Sequence, residues 1–227
     1  MLVTHKRPRY SGIVGMLLIL AAAALAAAAA EEGAAPVFKG DPYTLDFCPV
    51  TGEKLGSMGD PLVKSYDEGE VRFCCAGCPK QYEANPEEYA PKVKEALVKQ
   101  QAPFYPLDTC LVTGEKLAGD MGQPIDYIYK NRLVRFCCKG CIEKFEKDPG
   151  QYIAALDKAV VEKQKEKYPL DACVVSGDKL GGGMGEPIDH VVGNRLVRLC
   201  CRGCIKPLNE EPGKYLTKVD EALAGKE

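Results

Sequence analysis

The sequence predicts an α+β protein made of three tandem copies of one small unit, each a knuckle turn, a β-hairpin, a short helix and a longer helix. Three observations carry this reading. The hexapeptide Phe73-Cys74-Cys75-Ala76-Gly77-Cys78 returns as Phe136-Cys137-Cys138-Lys139-Gly140-Cys141 and as Leu199-Cys200-Cys201-Arg202-Gly203-Cys204, a period of about 63 residues. One further cysteine precedes each, at Cys48, Cys110 and Cys173, so all 12 cysteines fall into three matching sets. Between the cysteines, short β-branched and aromatic runs give way to apolar residues at helical spacing.

Residues 1–10 carry Lys6, Arg7 and Arg9, and residues 11–30 form an almost unbroken apolar run that ends in alanines before Glu31-Glu32. That pattern predicts a signal peptide over residues 1–30 and an exported, periplasmic or extracellular protein. The alternative is an uncleaved N-terminal anchor, the sequence's one route to a membrane, because residues 13–30 are just long enough to cross a bilayer. Residues 31–42 hold Gly, Ala and Pro without periodicity and read as a flexible lead-in.

The three copies occupy residues 43–100, 105–163 and 168–224. In each, Leu-Asp precedes the first cysteine (Asp46, Asp108, Asp171), and the aspartate is expected to cap the turn that follows. That turn is Thr51-Gly52, Thr113-Gly114 or Ser176-Gly177. Strands are predicted over residues 62–66, 125–129 and 188–192, paired with runs ending at Phe73, Phe136 and Leu199 across turn-forming connections. A short helix then carries Tyr82, Phe145 or Leu208 inward and stops before Asn85-Pro86, Asp148-Pro149 or Glu211-Pro212. In the first two copies that dipeptide is a cap residue with proline at the first helical position. The helix it opens places Tyr89, Val93 and Leu97, and their counterparts Tyr152, Leu156, Val160 and Tyr215, Val219, Leu223, on one face. A polar connection such as residues 162–167 follows.

A unit this small has little core of its own and relies on disulfides, metal or neighbours. Four thiols per unit suit a soft-metal site, with Cys48, Cys74, Cys75 and Cys78 as candidate ligands, then Cys110, Cys137, Cys138 and Cys141, then Cys173, Cys200, Cys201 and Cys204. A helix starting at or just before Cys74 would hold the clustered thiols in its first turn, where free amides and the helix dipole favour thiolate. Arg72, Arg135 and Arg198 would add positive charge beside them, and Gly77 would allow close backbone approach. Both Zn(II) and Cu(I) accept such ligands, up to one ion per copy. Met58, Met121 and Met184 recur once per copy and read as core gap-fillers, with copper thioether ligation as the alternative. His190 has no counterpart in the other copies and is not expected to be a ligand.

The order of an early Cys48-Pro49-Val50 turn, Phe73-Cys74 with Cys78, then Tyr82 and Asn85-Pro86 with Tyr89 resembles the TRASH and YHS group of small heavy-metal-binding domains. It repeats more loosely in the other two copies. The resemblance implies treble-clef-like units and a role in metal sensing, trafficking or resistance, with Cys48, Cys74, Cys78 and their counterparts as ligands. This chain departs from that pattern in two ways: Thr51, Thr113 and Ser176 stand where many members have a second knuckle cysteine, and Cys75, Cys138 and Cys201 are additional.

The reading is therefore a non-enzymatic metal-binding protein whose partners are metal ions and a metal-transporting or metal-accepting protein. The alternatives are a disulfide-stapled interaction module and, less favoured, a thiol oxidoreductase using Cys75-x-x-Cys78. Adjacent cysteines bridge poorly to each other, and no βαβ pattern surrounds the motif. With 30 basic against 32 acidic residues, the chain has no phosphate-binding footprint, so nucleic acid is not expected as a partner.

Overall fold

Two-residue turns define three antiparallel hairpins: β1 (Leu62–Tyr66) with β2 (Gly69–Phe73), β3 (Ile125–Tyr129) with β4 (Arg132–Phe136), and β5 (Ile188–Val192) with β6 (Arg195–Leu199). The second and third turns hold both central residues at positive φ, Lys130 at 46° with Asn131 at 68°, and Gly193 at 56° with Asn194 at 60°. That is the twist a tight hairpin needs. The computed structural model describes residues 38–118 and 122–225. The expected signal peptide, residues 31–37 of the lead-in and Met121 lie outside them.

After each hairpin come two helices. In the first copy these are α1 (Cys78–Ala84) and α2 (Pro86–Gln101), in the second α3 (Lys139–Lys147) and α4 (Pro149–Gln164). In the third a 3-10 turn (Arg202–Cys204) leads into α5 (Ile205–Glu210), followed by α6 (Pro212–Ala224). Proline opens every long helix, as the sequence predicts. Of the two expected cap residues, Asp148 accepts from the Gln151 amide at 3.5 Å, whereas Asn85 makes no side-chain cap.

Each copy has its own core, built where the inner face of the hairpin meets the apolar face of the helices. Phe73, Tyr82 and Leu97 fill the first, Phe136, Phe145 and Leu156 the second, Leu199, Leu208 and Val219 the third, and the buried cysteines belong to all three. An isolated hairpin is at best marginal in water. Burying one such apolar side chain contributes about 1.5–3 kcal/mol, so the helices are what keep each hairpin folded.

The copies also brace one another, and they do so by a repeated device. Gln101, at the end of α2, donates to the Asn131 carbonyl at 2.7 Å and accepts from the Leu133 amide at 2.8 Å. Gln164, at the end of α4, treats Asn194 and Leu196 in the same way, at 2.9 and 2.8 Å. The turn asparagines reach back, Asn131 to the Glu70 carbonyl at 2.8 Å and Asn194 to the Leu133 carbonyl at 3.0 Å. The third copy meets the first through Arg72, which donates to the carbonyls of Asn209 and Glu210 at 2.7 and 2.5 Å.

Two expectations change here. Residues 38–42 of the lead-in are not loose: Asp41 is buried, and its carboxylate binds Arg132 and the Gly193 amide. Residues 162–164 of the expected polar connection are the last turn of α4, because Gln164 is needed at the next hairpin. Among the described residues no helix is long and apolar enough to cross a membrane.

Candidate metal centre

A knuckle turn supplies the first thiol of each set. Gly52 takes φ +75°, a left-handed conformation that disfavours any side chain, and lets its amide return to the Cys48 carbonyl at 2.8 Å. The Cys48 amide bonds the Glu53 carbonyl at 2.8 Å, and the Leu55 amide closes on the Asp46 carbonyl at 2.7 Å. The same three bonds recur around Cys110 and Cys173. Asp46 thus closes the turn through its main chain, and its carboxylate is exposed, as are those of Asp108 and Asp171.

The second and third thiols come from the segment that leaves the hairpin. Cys74 follows directly on β2, and Cys78 begins α1. The expected helix at Cys74 is absent: residues 74–77 form a tight bend, in which the Cys78 amide meets the Cys75 carbonyl at 3.3 Å. In the second copy the helix begins at Lys139, and in the third a 3-10 turn begins at Arg202. The bend still brings the sulfurs together. Cys48, Cys74 and Cys78 are all buried, and their Sγ atoms lie within 4.8 Å of one another, as do those of Cys110, Cys137, Cys141 and of Cys173, Cys200, Cys204. Each of these three groups could hold a metal ion.

The fourth cysteine of each copy stands outside this set. Cys75, Cys138 and Cys201 are only partly buried, with Sγ at 3.3, 3.5 and 3.9 Å from Cys78, Cys141 and Cys204. All these sulfur separations are far longer than a disulfide bond of about 2.05 Å. All twelve side chains are unbridged.

Hydroxyls complete the inner surroundings. Thr51 Oγ1 lies 3.4 Å from Cys74 Sγ, Thr113 Oγ1 3.5 Å from Cys137 Sγ and Ser176 Oγ 3.3 Å from Cys200 Sγ. The residue that stands in place of a second knuckle cysteine therefore touches the thiol set, at hydrogen-bonding distance from sulfur. Carboxylates approach two of the sets, Glu115 at 3.6 Å from Cys137 Sγ and Asp178 at 3.9 Å from Cys200 Sγ.

These contacts divide the thiols by acidity. Burial alone would raise Cys48, but the amides of Cys74, Thr51 and Val50 and the Thr51 hydroxyl all stabilise its thiolate and bring it down to about 7. Cys110 and Cys173 are lowered to about 7 by the matching groups. At Cys74 the Thr51 hydroxyl favours the thiolate, but burial and the neighbouring Cys48 outweigh it and the value is raised. Burial pushes Cys78 well up, and Cys204 to about 12. One thiol per set is thus ready as thiolate near neutral pH, and an arriving cation would displace protons from the others.

Several sequence expectations fail here for physical reasons. Arg72 does not face the thiols; it is drawn to Glu70 at 2.8 Å and to the third copy's carbonyls. Arg135 pairs with Asp126 and Arg198 with Asp189, each at 2.8 Å. Gly77 mediates no close approach, since a side-chain carbon placed on it would meet nothing within 4 Å. Met58 and Met184 are 66% and 61% exposed, so neither fills a core. His190 lies near Asp41, Arg132 and Asn209, among the inter-copy contacts. What the sequence reading missed is the Thr51 to Cys74 contact; its signal was a hydroxyl at the same place in all three copies.

Comparisons with protein-family models, with curated proteins and with solved structures found no match to this chain.

Proposed function

We propose that this chain is an exported, non-enzymatic metal-binding protein that holds up to one soft cation per copy, Cu(I) or Zn(II), for buffering, trafficking or resistance. The observation that carries this reading is the threefold recurrence of a buried set of three sulfurs within 4.8 Å of one another. Three buried, unbridged thiols drawn together in each copy have little structural purpose in an oxidising compartment, whereas a cation would bind all three at once. The resemblance to TRASH and YHS domains points the same way, resting on Cys48, Cys74, Cys78, Tyr82 and Tyr89. Export rests on the basic and apolar pattern of residues 1–30.

The test is anaerobic purification of the exported chain, followed by native mass spectrometry and a thiol count. Three bound ions are expected, with free thiols recovered on chelation, and Cys48→Ser should leave two ions. A chain with no metal and no titratable thiols would overturn the proposal and support the disulfide-stapled alternative.

A further inference from the structure

We propose, building on the metal-binding reading, that Cys75, Cys138 and Cys201 are exchange ligands, through which ions pass between each buried sulfur set and a thiolate-bearing acceptor outside. The first support is placement. Each of these sulfurs is partly exposed, while the three behind it are buried, and each lies 3.3–3.9 Å from one of those three, Cys78, Cys141 or Cys204. An ion bound by the buried set is therefore one ligand step from a sulfur that solvent can reach.

The second support is independent and comes from the glycine beside each of them. Gly77 has φ −80° and ψ −29°, ordinary helical values, and neither Gly140 nor Gly203 is at positive φ, so the backbone does not require glycine. Packing does not require it either, because a side-chain carbon on Gly77 or Gly140 would meet nothing within 4 Å. In the third copy glycine leaves bare backbone over the outer sulfur, since a side-chain carbon on Gly203 would lie 3.6 Å from Cys201 Sγ; in the first two copies it leaves open space beside the bend. All three glycines are exposed. The mouth of each site is thus open to a second sulfur ligand.

The step is ligand substitution without change of oxidation state. Cys75 gives up its proton and bonds the ion as one buried sulfur lets go and takes up a proton; the acceptor thiol then gives up its proton and bonds the ion as a second buried sulfur lets go and is protonated. Repetition completes the transfer, with one metal–sulfur bond formed for each one lost.

The experiment uses the whole chain loaded with Cu(I) and follows transfer to excess dithiothreitol. Two triple variants are compared with the parent: Cys75→Ser with Cys138→Ser and Cys201→Ser, and Gly77→Leu with Gly140→Leu and Gly203→Leu. Both should retain three ions and transfer them at least about tenfold more slowly, the change lying in the off-rate. Retention of all three ions in the leucine variant, read in the same experiment, shows that slowed transfer there does not reflect a weakened fold. Transfer at the parent rate in the serine variant would overturn the proposal. So would loss of bound ions in that variant, which would make these sulfurs resident ligands. A parent chain that binds neither Cu(I) nor Zn(II) overturns the metal-binding reading and this proposal together, a result distinct from either of the others.

Discussion

Asp41 grips Arg132 with both carboxylate oxygens, Oδ2 to Nε at 2.6 Å and Oδ1 to Nη2 at 2.9 Å, in a pair almost wholly withdrawn from water. The guanidinium also binds Asp157 of α4 and the Val191 carbonyl at 3.3 Å, while Asp41 holds the Gly193 amide at 2.8 Å. One ion pair therefore ties the segment ahead of the first copy to the second and third hairpins. Removing Asp41 leaves Arg132 with Asp157 as its remaining carboxylate, so the loss is that of charge-assisted hydrogen bonds, about 1.5–3 kcal/mol. Asp41→Ala should lower stability by that amount in urea denaturation and leave the three sulfur sets intact in sequence. A loss below about 1 kcal/mol would mean the pair is dispensable.

The two bridging glutamines give a second prediction. Gln101→Ala orphans the Asn131 carbonyl and the Leu133 amide, both buried, and Gln164→Ala does the same at Asn194 and Leu196. Leaving such groups unpaired costs about 1–3 kcal/mol each. Amide exchange should speed up most at Leu133 in the first variant and most at Leu196 in the second. Unchanged protection at both positions would remove the glutamines from the account of how the copies adhere.

The metal-free chain should lose stability in alkali. The folded state holds Cys78, Cys141 and Cys204 protonated well above their ordinary value of 9.0, Cys204 to about 12, because burial penalises the thiolate. Above pH 9 the unfolded chain releases these protons while the folded chain retains them, so stability falls as pH rises. Cys48, Cys110 and Cys173, lowered to about 7, act in the opposite sense: their contribution appears as pH rises from 7 towards 9 and vanishes below it. The melting temperature of the apo chain should therefore be highest near pH 9 and fall above it. With ions bound the sulfurs are already thiolates, and the alkaline fall should shrink. An apo chain whose melting temperature still climbs between pH 9 and pH 11 would contradict this assignment.

Much of this arrangement is legible in the sequence because its causes are local. Short β-branched and aromatic runs between turn signals mark the strands, the X-Pro dipeptides mark the starts of α2, α4 and α6, and the inward Tyr82, Phe145 and Leu208 follow from their place after the cysteine cluster. Cysteine spacing located the sulfur sets but could not separate the buried Cys74 from the half-buried Cys75, since adjacent residues differ only in which way the bend turns them. The roles of Arg72 and Arg132 were invisible for another reason. Their partners, Asn209 and Asp41, are distant in the chain and are set by how the copies pack.

The Thr51 hydroxyl offers a prediction with internal controls. It lies 3.4 Å from Cys74 Sγ, and its oxygen also accepts from the Glu53 amide at 3.2 Å, which fixes its orientation. With that amide on one lone pair, the hydroxyl proton remains free for sulfur, so the thiolate of Cys74 is the acceptor it is placed to serve. A hydrogen bond to a charged acceptor is worth about 1.5–3 kcal/mol, so Thr51→Val should weaken the first site for Zn(II) or Cu(I) by about tenfold or more. Thr113 and Ser176 keep their own contacts with Cys137 and Cys200, at 3.5 and 3.3 Å, so the other two sites should be unaffected. A competition titration of the variant should thus resolve two tight ions and one weaker one, where the parent shows three alike. Valine preserves the branched shape at an exposed position, so lost packing cannot produce this asymmetry. Three equal sites in the variant would show that the hydroxyl does nothing for the metal.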